Sequence, residues 1–108
     1  MRHARFAALA LVAITMPLSG GVVAAARLHV VVIDKMKFGA VPGDIRVGDA
    51  ILWVNRDMFR HSATAGDGSF DVDLPAGKSA RTTVKKAGAI PFACKYHPGM
   101  TGVIKAAR

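Results

Sequence analysis

The sequence predicts a small all-β domain, either a β-sandwich or a barrel. Short apolar or alternating runs recur along the chain, and turns rich in glycine and proline separate them. No stretch carries apolar residues at the 3.6-residue spacing of an amphipathic helix, so we expect little helix. With 108 residues the chain has room for one domain at most, which excludes a multidomain enzyme.

The first 26 residues have the features of a secretory signal peptide. Arg2 and Arg5 are basic, residues 6–16 are an apolar run, and residues 24–26 are alanines suited to a cleavage site. The apolar run is shorter than the about 20 residues that a membrane-spanning helix needs, which disfavours a membrane anchor. We therefore expect an exported product without stable membrane insertion, and a single domain over residues 27–108.

The predicted strands follow in order after this segment. Residues 28–33 are a β-branched run, and residues 51–54 are apolar, whereas Phe70, Val72 and Leu74 alternate with aspartates. The full set is residues 28–33, 45–47, 51–54, a strand beginning at His61, residues 70–74, 82–84, 90–94 and 103–104. Turn signals lie between them at residues 42–44, 66–68, 75–77, 88 and 98–99. The sequence thus predicts about seven to eight short strands.

So small a domain needs support beyond its hydrophobic core. Removal of residues 1–26 would leave 82 residues, and a core of that size is marginal. Small exported domains often gain stability from disulfides or a metal, but a single cysteine, Cys94, cannot form a disulfide within the chain. A bound metal is therefore suspected before any motif is considered.

The candidate ligands are concentrated in residues 94–100. Cys94, His97 and Met100 form a Cys-x2-His-x2-Met pattern in a short loop between two predicted strands. His61 offers a second imidazole upstream. Thiolate and thioether are soft ligands that suit Cu(I), imidazole suits copper in both oxidation states, and a His2Cys set with a weak Met is the blue-copper pattern. Zinc sites rarely use Met, and the Cys-x2-Cys-His pattern of covalent haem attachment is absent.

The chain resembles the cupredoxins, the family that includes plastocyanin and pseudoazurin, and its short ligand loop is similar to the amicyanin type. The resemblance extends over nearly all of residues 28–107. Residues 48–57 resemble the family's strand before the first ligand, and residues 61–64 its His-x-x-Thr segment. The resemblance implies a two-sheet Greek-key sandwich that binds one copper ion through His61, Cys94, His97 and Met100. It also implies electron shuttling outside the cytoplasm, in the periplasm.

Two positions depart from the family's pattern. Lys95 and Tyr96 stand where relatives with this loop usually have Thr-Pro, and Tyr96, unlike proline, has an N–H that can donate toward the Cys94 sulfur. Ser62 stands where many relatives have Asn, and serine reaches less far to connect the two ligand segments. We expect a hydrogen bond from Tyr96 that raises the reduction potential above that of a proline-bearing relative, and a less firmly held site.

Several residues have ordinary structural interpretations as well. Cys94 alone fits a buried free thiol, and His61 fits a surface histidine. Cys–His nucleophilic catalysis is disfavoured because no carboxylate obviously orients His97, so we expect a carrier and not an enzyme. His29 is interpreted as solvated or structural. Met58 and Phe59 fit either the core or an apolar docking patch, and the sequence does not separate these alternatives.

The positive charge favours an acidic partner over nucleic acid. The chain has 15 basic and 7 acidic residues, but the basic residues are scattered and not clustered in a stripe. Arg56, Arg60 and Lys95 lie near the candidate ligands and would steer an acidic-surfaced redox protein toward His97. We expect a monomer that docks such a partner transiently. The alternative function is a copper chaperone or storage protein in the periplasm, although the Met-rich or His-rich tracts that favour it are absent.

Overall fold

The computed structural model describes residues 25–108, together with residues 4, 8 and 10–15. The predicted signal peptide lies largely outside the described residues and stays a prediction. The described part of the chain contains nine strands and no helix, and hence no helix long and apolar enough to cross a membrane. The strands are β1 (Leu28–Asp34), β2 (Lys37–Phe38), β3 (Ile45–Arg46), β4 (Ala50–Asn55), β5 (His61–Ala65), β6 (Asp71–Leu74), β7 (Ser79–Thr83), β8 (Gly88–Ala93) and β9 (Thr101–Ala107).

The strands form two sheets, which confirms the predicted all-β sandwich. One sheet has the order β2-β1-β4-β7 and the other β3-β9-β8-β5-β6. β1 pairs in parallel with β4 and β3 with β9, and every other pairing between the described strands is antiparallel. The strand count is slightly higher than predicted because β2, of two residues, is too short to leave a periodic signal.

The core lies between the sheets and is built on aromatic side chains. In β1 and β4 alternate residues are buried, as expected when one face of a sheet packs on the other sheet. Trp53 is fully buried and makes edge-to-face contacts with Phe38 and Phe92. Its indole N–H donates to the Thr82 hydroxyl at 2.9 Å, so the ring's polar atom is satisfied inside the core.

The register of β1 and β4 defines two ends of the sandwich. Leu28 pairs with Ala50 at one end and Ile33 with Asn55 at the other. Near the first end the buried His29 ring bonds the buried Asp49 carboxylate at 2.8 Å, so the structural interpretation of His29 holds and the solvated one does not. The candidate ligands lie at the second end, beyond Asn55.

Candidate metal centre

Two neighbouring strands bring His61 and Cys94 together. β5 begins at His61 and β8 ends one residue before Cys94, and the two strands pair only at Thr64–Ala93 and Ala65–Phe92. Beyond that point the ladder stops, and side chains fill the space between the segments. His61 Nδ1 lies 3.8 Å from Cys94 Sγ, and both residues are buried.

The loop after Cys94 is closed on itself by backbone hydrogen bonds. The Cys94 N–H donates to the Met100 carbonyl at 3.0 Å, and the Met100 N–H donates to the His97 carbonyl at 3.2 Å. Gly99 has a φ of 91°, which the third residue of a type II turn requires, and Pro98 precedes it, as is common in such turns. This turn directs the chain back to the site, where the buried Met100 lies close to His61 and Cys94.

In both imidazoles the Nε2 atom is engaged in a hydrogen bond within the protein. His61 Nε2 lies 2.7 Å from Asp57 Oδ2, and His97 Nε2 lies 3.1 Å from the Arg60 carbonyl. A carboxylate or carbonyl oxygen can only accept, so each Nε2 carries the proton and each Nδ1 keeps a free lone pair. The rings of His61 and His97 are 4.8 Å apart between centroids, so His97 lies beside the first pair.

Asp57 connects His61 to the hairpin between β1 and β2. Its carboxylate also accepts the N–H groups of Lys35 and Met36 at 2.8 and 2.9 Å. Those two residues have φ values of 51° and 62°, a left-handed backbone conformation that residues other than glycine or asparagine rarely adopt. Burial raises the pKa of Asp57, but the Met36 N–H, the His61 ring and the Lys35 N–H together hold this pKa below its usual value. The ionised carboxylate therefore fixes both the strained turn and the ring.

Asn55 organises the segment that leads to His61. Its side-chain amide donates to the carbonyls of Phe59, Leu74 and Pro75 at 2.8, 2.9 and 3.3 Å, and its Oδ1 accepts the Asp57 N–H at 2.9 Å. The residue is fully buried. In the sequence these two residues belong only to residues 48–57, the segment that resembles the family's strand before the first ligand. Two polar residues just ahead of a candidate ligand were nevertheless a usable signal.

The two departures from the family pattern act differently from what the sequence predicted. Ser62 does connect the ligand segments, because its Oγ accepts the Lys95 N–H at 2.8 Å. Among the described residues, the backbone donor to Cys94 Sγ is the Ser62 N–H, at 3.4 Å, and not that of Tyr96. The Tyr96 hydroxyl instead donates to Asp73 at 3.1 Å, which directs that side chain along the surface.

The chemical types of these donors fit a copper ion. Nitrogen and sulfur ligands at about 2.0 and 2.3 Å from one metal, at about 120°, are about 3.7 Å apart. The observed separation of 3.8 Å between His61 Nδ1 and Cys94 Sγ matches this value. Within the described ranges, no three His, Cys, Asp or Glu side chains converge into a complete metal-binding group. The structure thus shows the buried pair of His61 and Cys94, with Met100 close to both and the His97 ring beside that of His61.

The surface beside His97 is apolar. Met58 is 83% exposed and Phe59 is 52% exposed, so neither packs in the core, and the Phe59 ring lies 6.3 Å from that of His97. The nearby charges are more balanced than the sequence predicted. Lys95 forms an ion pair with Asp71, and Arg60 lies 3.6 Å from Asp73.

Solved structures share this fold, although no family model and no curated protein matches the sequence. A proline-to-glycine variant of amicyanin, in its reduced Cu(I) form at pH 4, has a TM-score of 0.63 and 28% identity over 74% of this chain and 82% of its own. A methionine-to-alanine variant of amicyanin, in its Cu(I) form, has a TM-score of 0.64 and 28% identity over 77% and 85%. A copper-containing nitrite reductase from Thermus scotoductus SA-01 has a TM-score of 0.63 and 28% identity over 74% of this chain but 22% of the reductase. The chain therefore has the cupredoxin fold and is similar in structure to amicyanin.

Proposed function

We propose that the chain is an electron carrier that binds one copper ion through His61, Cys94, His97 and Met100. The observation that carries the proposal is the distance of 3.8 Å between the buried His61 Nδ1 and Cys94 Sγ. The loop that follows Cys94 is closed by hydrogen bonds, and it brings Met100 close to the same two residues. The similarity to amicyanin structures with Cu(I) supports the choice of metal. Copper at such a site would supply a one-electron Cu(I)/Cu(II) couple.

The protein's own residues hold the ligands in place. Asp57 keeps the proton of His61 on Nε2, and the backbone bonds of the loop keep Cys94 and Met100 at a fixed separation. Burial of His61, Cys94 and Met100 excludes water from the thiolate and the thioether. A site held in this way changes little between oxidation states, and a small structural change favours rapid electron transfer.

The surface around His97 supports docking of a redox partner. His97 is half-buried and lies next to the exposed Met58 and Phe59, so an apolar partner surface can approach the ring closely. Arg56, which is also exposed, adds positive charge that would attract an acidic partner. In this proposal the protein is an exported monomer of the periplasm, not an enzyme, and the electron passes through the His97 imidazole.

Voltammetry combined with a chelator challenge tests the proposal. The purified protein is loaded with copper, and its redox couple is recorded before and after incubation with excess of a copper chelator. A carrier gives a fast, reversible one-electron couple that survives the chelator. His61→Ala should abolish the couple, whereas His29→Gln, which removes an imidazole at the opposite end of the sandwich, should keep it. Rapid loss of copper to the chelator would contradict the proposal and favour the chaperone or storage function.

A further inference from the structure

A closed ring of hydrogen bonds lies directly beside the candidate copper ligands. The Lys95 N–H donates to Ser62 Oγ at 2.8 Å, Ser62 Oγ lies 3.0 Å from Thr64 Oγ1, and Thr64 Oγ1 donates to Asp71 Oδ1 at 2.9 Å. The Lys95 ammonium then donates to Asp71 Oδ2. The ring therefore begins and ends at the residue that follows Cys94.

Only one arrangement of the protons satisfies this ring. The Asp71 carboxylate accepts, so the single Thr64 proton goes to it, and Thr64 must accept from Ser62. The Ser62 hydroxyl proton is then committed to Thr64, which leaves Ser62 Oγ as the acceptor for the Lys95 N–H. Hydrogen bonds that point in one direction along a chain strengthen one another.

The ring connects the segment that carries His61 to the segment that carries Cys94, at a point where the β-ladder does not join them. β5 and β8 pair only at Thr64–Ala93 and Ala65–Phe92, so no ladder bond joins the segments that carry His61 and Cys94. Ser62 follows His61 and is buried, and its N–H donates to Cys94 Sγ at 3.4 Å. Any shift of Ser62 therefore changes the hydrogen bond to the sulfur.

We propose that Thr64 and Asp71 are positioning residues of the copper centre. With Ser62 and Lys95 they hold the Ser62 N–H against the Cys94 sulfur, and so raise the reduction potential of the site. Hydrogen bonding around the cysteine sulfur is one of the known determinants of the potential in such sites, because it withdraws electron density from the thiolate and favours Cu(I). This inference rests on the proposed function, but the ring itself is a property of the polypeptide.

The ion pair between Lys95 and Asp71 would not by itself raise the reduction potential. Lys95 and Asp71 are each about half exposed, and an exposed pair contributes little to stability. Their importance comes from the buried end of the ring at Ser62. The prediction is therefore specific to groups within the ring, and a neighbouring hydrogen bond outside it serves as the control.

Thr64→Val removes the ring hydroxyl with little change in shape, and Tyr96→Phe removes the Tyr96–Asp73 hydrogen bond of the same loop. In the copper-free protein, amide hydrogen exchange at Ser62 and Lys95 should be about fivefold to tenfold faster in Thr64→Val than in Tyr96→Phe. In the copper-loaded protein, the potential should fall in Thr64→Val and stay at the wild-type value in Tyr96→Phe. Asp71→Asn, a surface change that preserves folding, should show a smaller increase in the exchange rate and a smaller fall in the potential.

The outcomes separate this inference from the proposed function. If wild-type protein gives a reversible couple, but Thr64→Val and Asp71→Asn match Tyr96→Phe in both exchange and potential, the inference is wrong. If exchange accelerates but the potential does not move, the ring is structural only and the positioning role is overturned. If wild-type protein gives no couple, the proposed function itself fails.

Discussion

At the scale of single residues, polar groups that are not candidate ligands hold the candidate site in place. Asp57 and Asn55 hold His61 through hydrogen bonds to its ring and to the preceding segment. Cys94, His97 and Met100 could be picked out as candidate ligands from sequence, because a Cys-x2-His-x2-Met pattern in a chain with one cysteine is distinctive. The hydrogen-bonded supports could not, because asparagine and aspartate after a strand are equally typical of an ordinary turn.

Asn55→Ala tests the role of the buried amide. The change leaves the carbonyls of Phe59 and Leu74 without their donor and frees the backbone N–H of Asp57. We expect a loss of about 2–3 kcal/mol in the free energy of unfolding, as for other buried polar groups left unpaired. Urea denaturation of the copper-free protein measures this loss of unfolding free energy. A loss below about 0.5 kcal/mol, the range of ordinary surface changes, would contradict the assigned role.

Asp49, at the end of the sandwich away from the ligands, sets a pH dependence of stability. The Arg27 N–H, the His29 ring and the Arg46 N–H lower its pKa to about 2 from a usual value of 3.8. Because the folded-state pKa is the lower one, its stabilisation is complete above about pH 4 and is lost as the pH falls toward 2. We expect Asp49→Asn to be less stable than wild type at pH 6, with the difference shrinking toward pH 2. Thermal unfolding across this range measures the difference, and a gap that widens on acidification would contradict the assignment.

At the scale of elements, strand pairing decides where the candidate ligands lie. The ladder between β8 and β9 places Phe92 opposite Gly102, and this pairing holds both ends of the ligand loop. Every described strand except β2 overlaps a segment in which apolar runs, alternation or turn spacing predicted a strand. The hairpin at Lys35 and Met36 has no such signal, because its left-handed turn lacks the usual glycine or asparagine and depends on the distant Asp57.

Gly102→Ala tests the packing at the base of the ligand loop. A Cβ at Gly102 would lie 2.3 Å from Cζ of the Phe92 ring, which is buried against Trp53 and cannot move freely. We expect a destabilisation of about 1–3 kcal/mol, measured by urea denaturation. Gly43→Ala is the control, because a Cβ there meets no atom within 4 Å, and it should leave stability unchanged or slightly higher. Equal stability of the two variants would show that the Phe92–Gly102 contact is not tight.

At the scale of the whole molecule, we expect the stability of the small sandwich to depend on metal binding. A domain of this size has a marginal core, so binding of an ion to the folded state alone should raise stability by mass action. The overall fold class was predictable because alternation and turn spacing are repeated along the entire chain. The distribution of charge was not, since only the three-dimensional structure pairs Lys95 with Asp71 across the loop.

Copper removal should therefore lower the melting temperature substantially. At a free copper concentration about 1,000 times the dissociation constant, the gain is about 4 kcal/mol, which corresponds to a shift of roughly 15–30 °C in a domain of this size. Differential scanning calorimetry of the copper-loaded and copper-free protein measures the shift. His61→Ala should abolish it, and a His61→Ala protein that is stabilised by copper as strongly as wild type would exclude His61 as a ligand.

The most direct measurement is the visible absorption spectrum of the protein loaded with Cu(II), recorded in parallel for Cys94→Ser. We expect an intense blue band from thiolate-to-copper charge transfer in the wild-type protein and its loss in Cys94→Ser. A colourless wild-type protein, or a weak band that survives the substitution, would show that Cys94 is not a copper ligand and would contradict the proposed electron-transfer site.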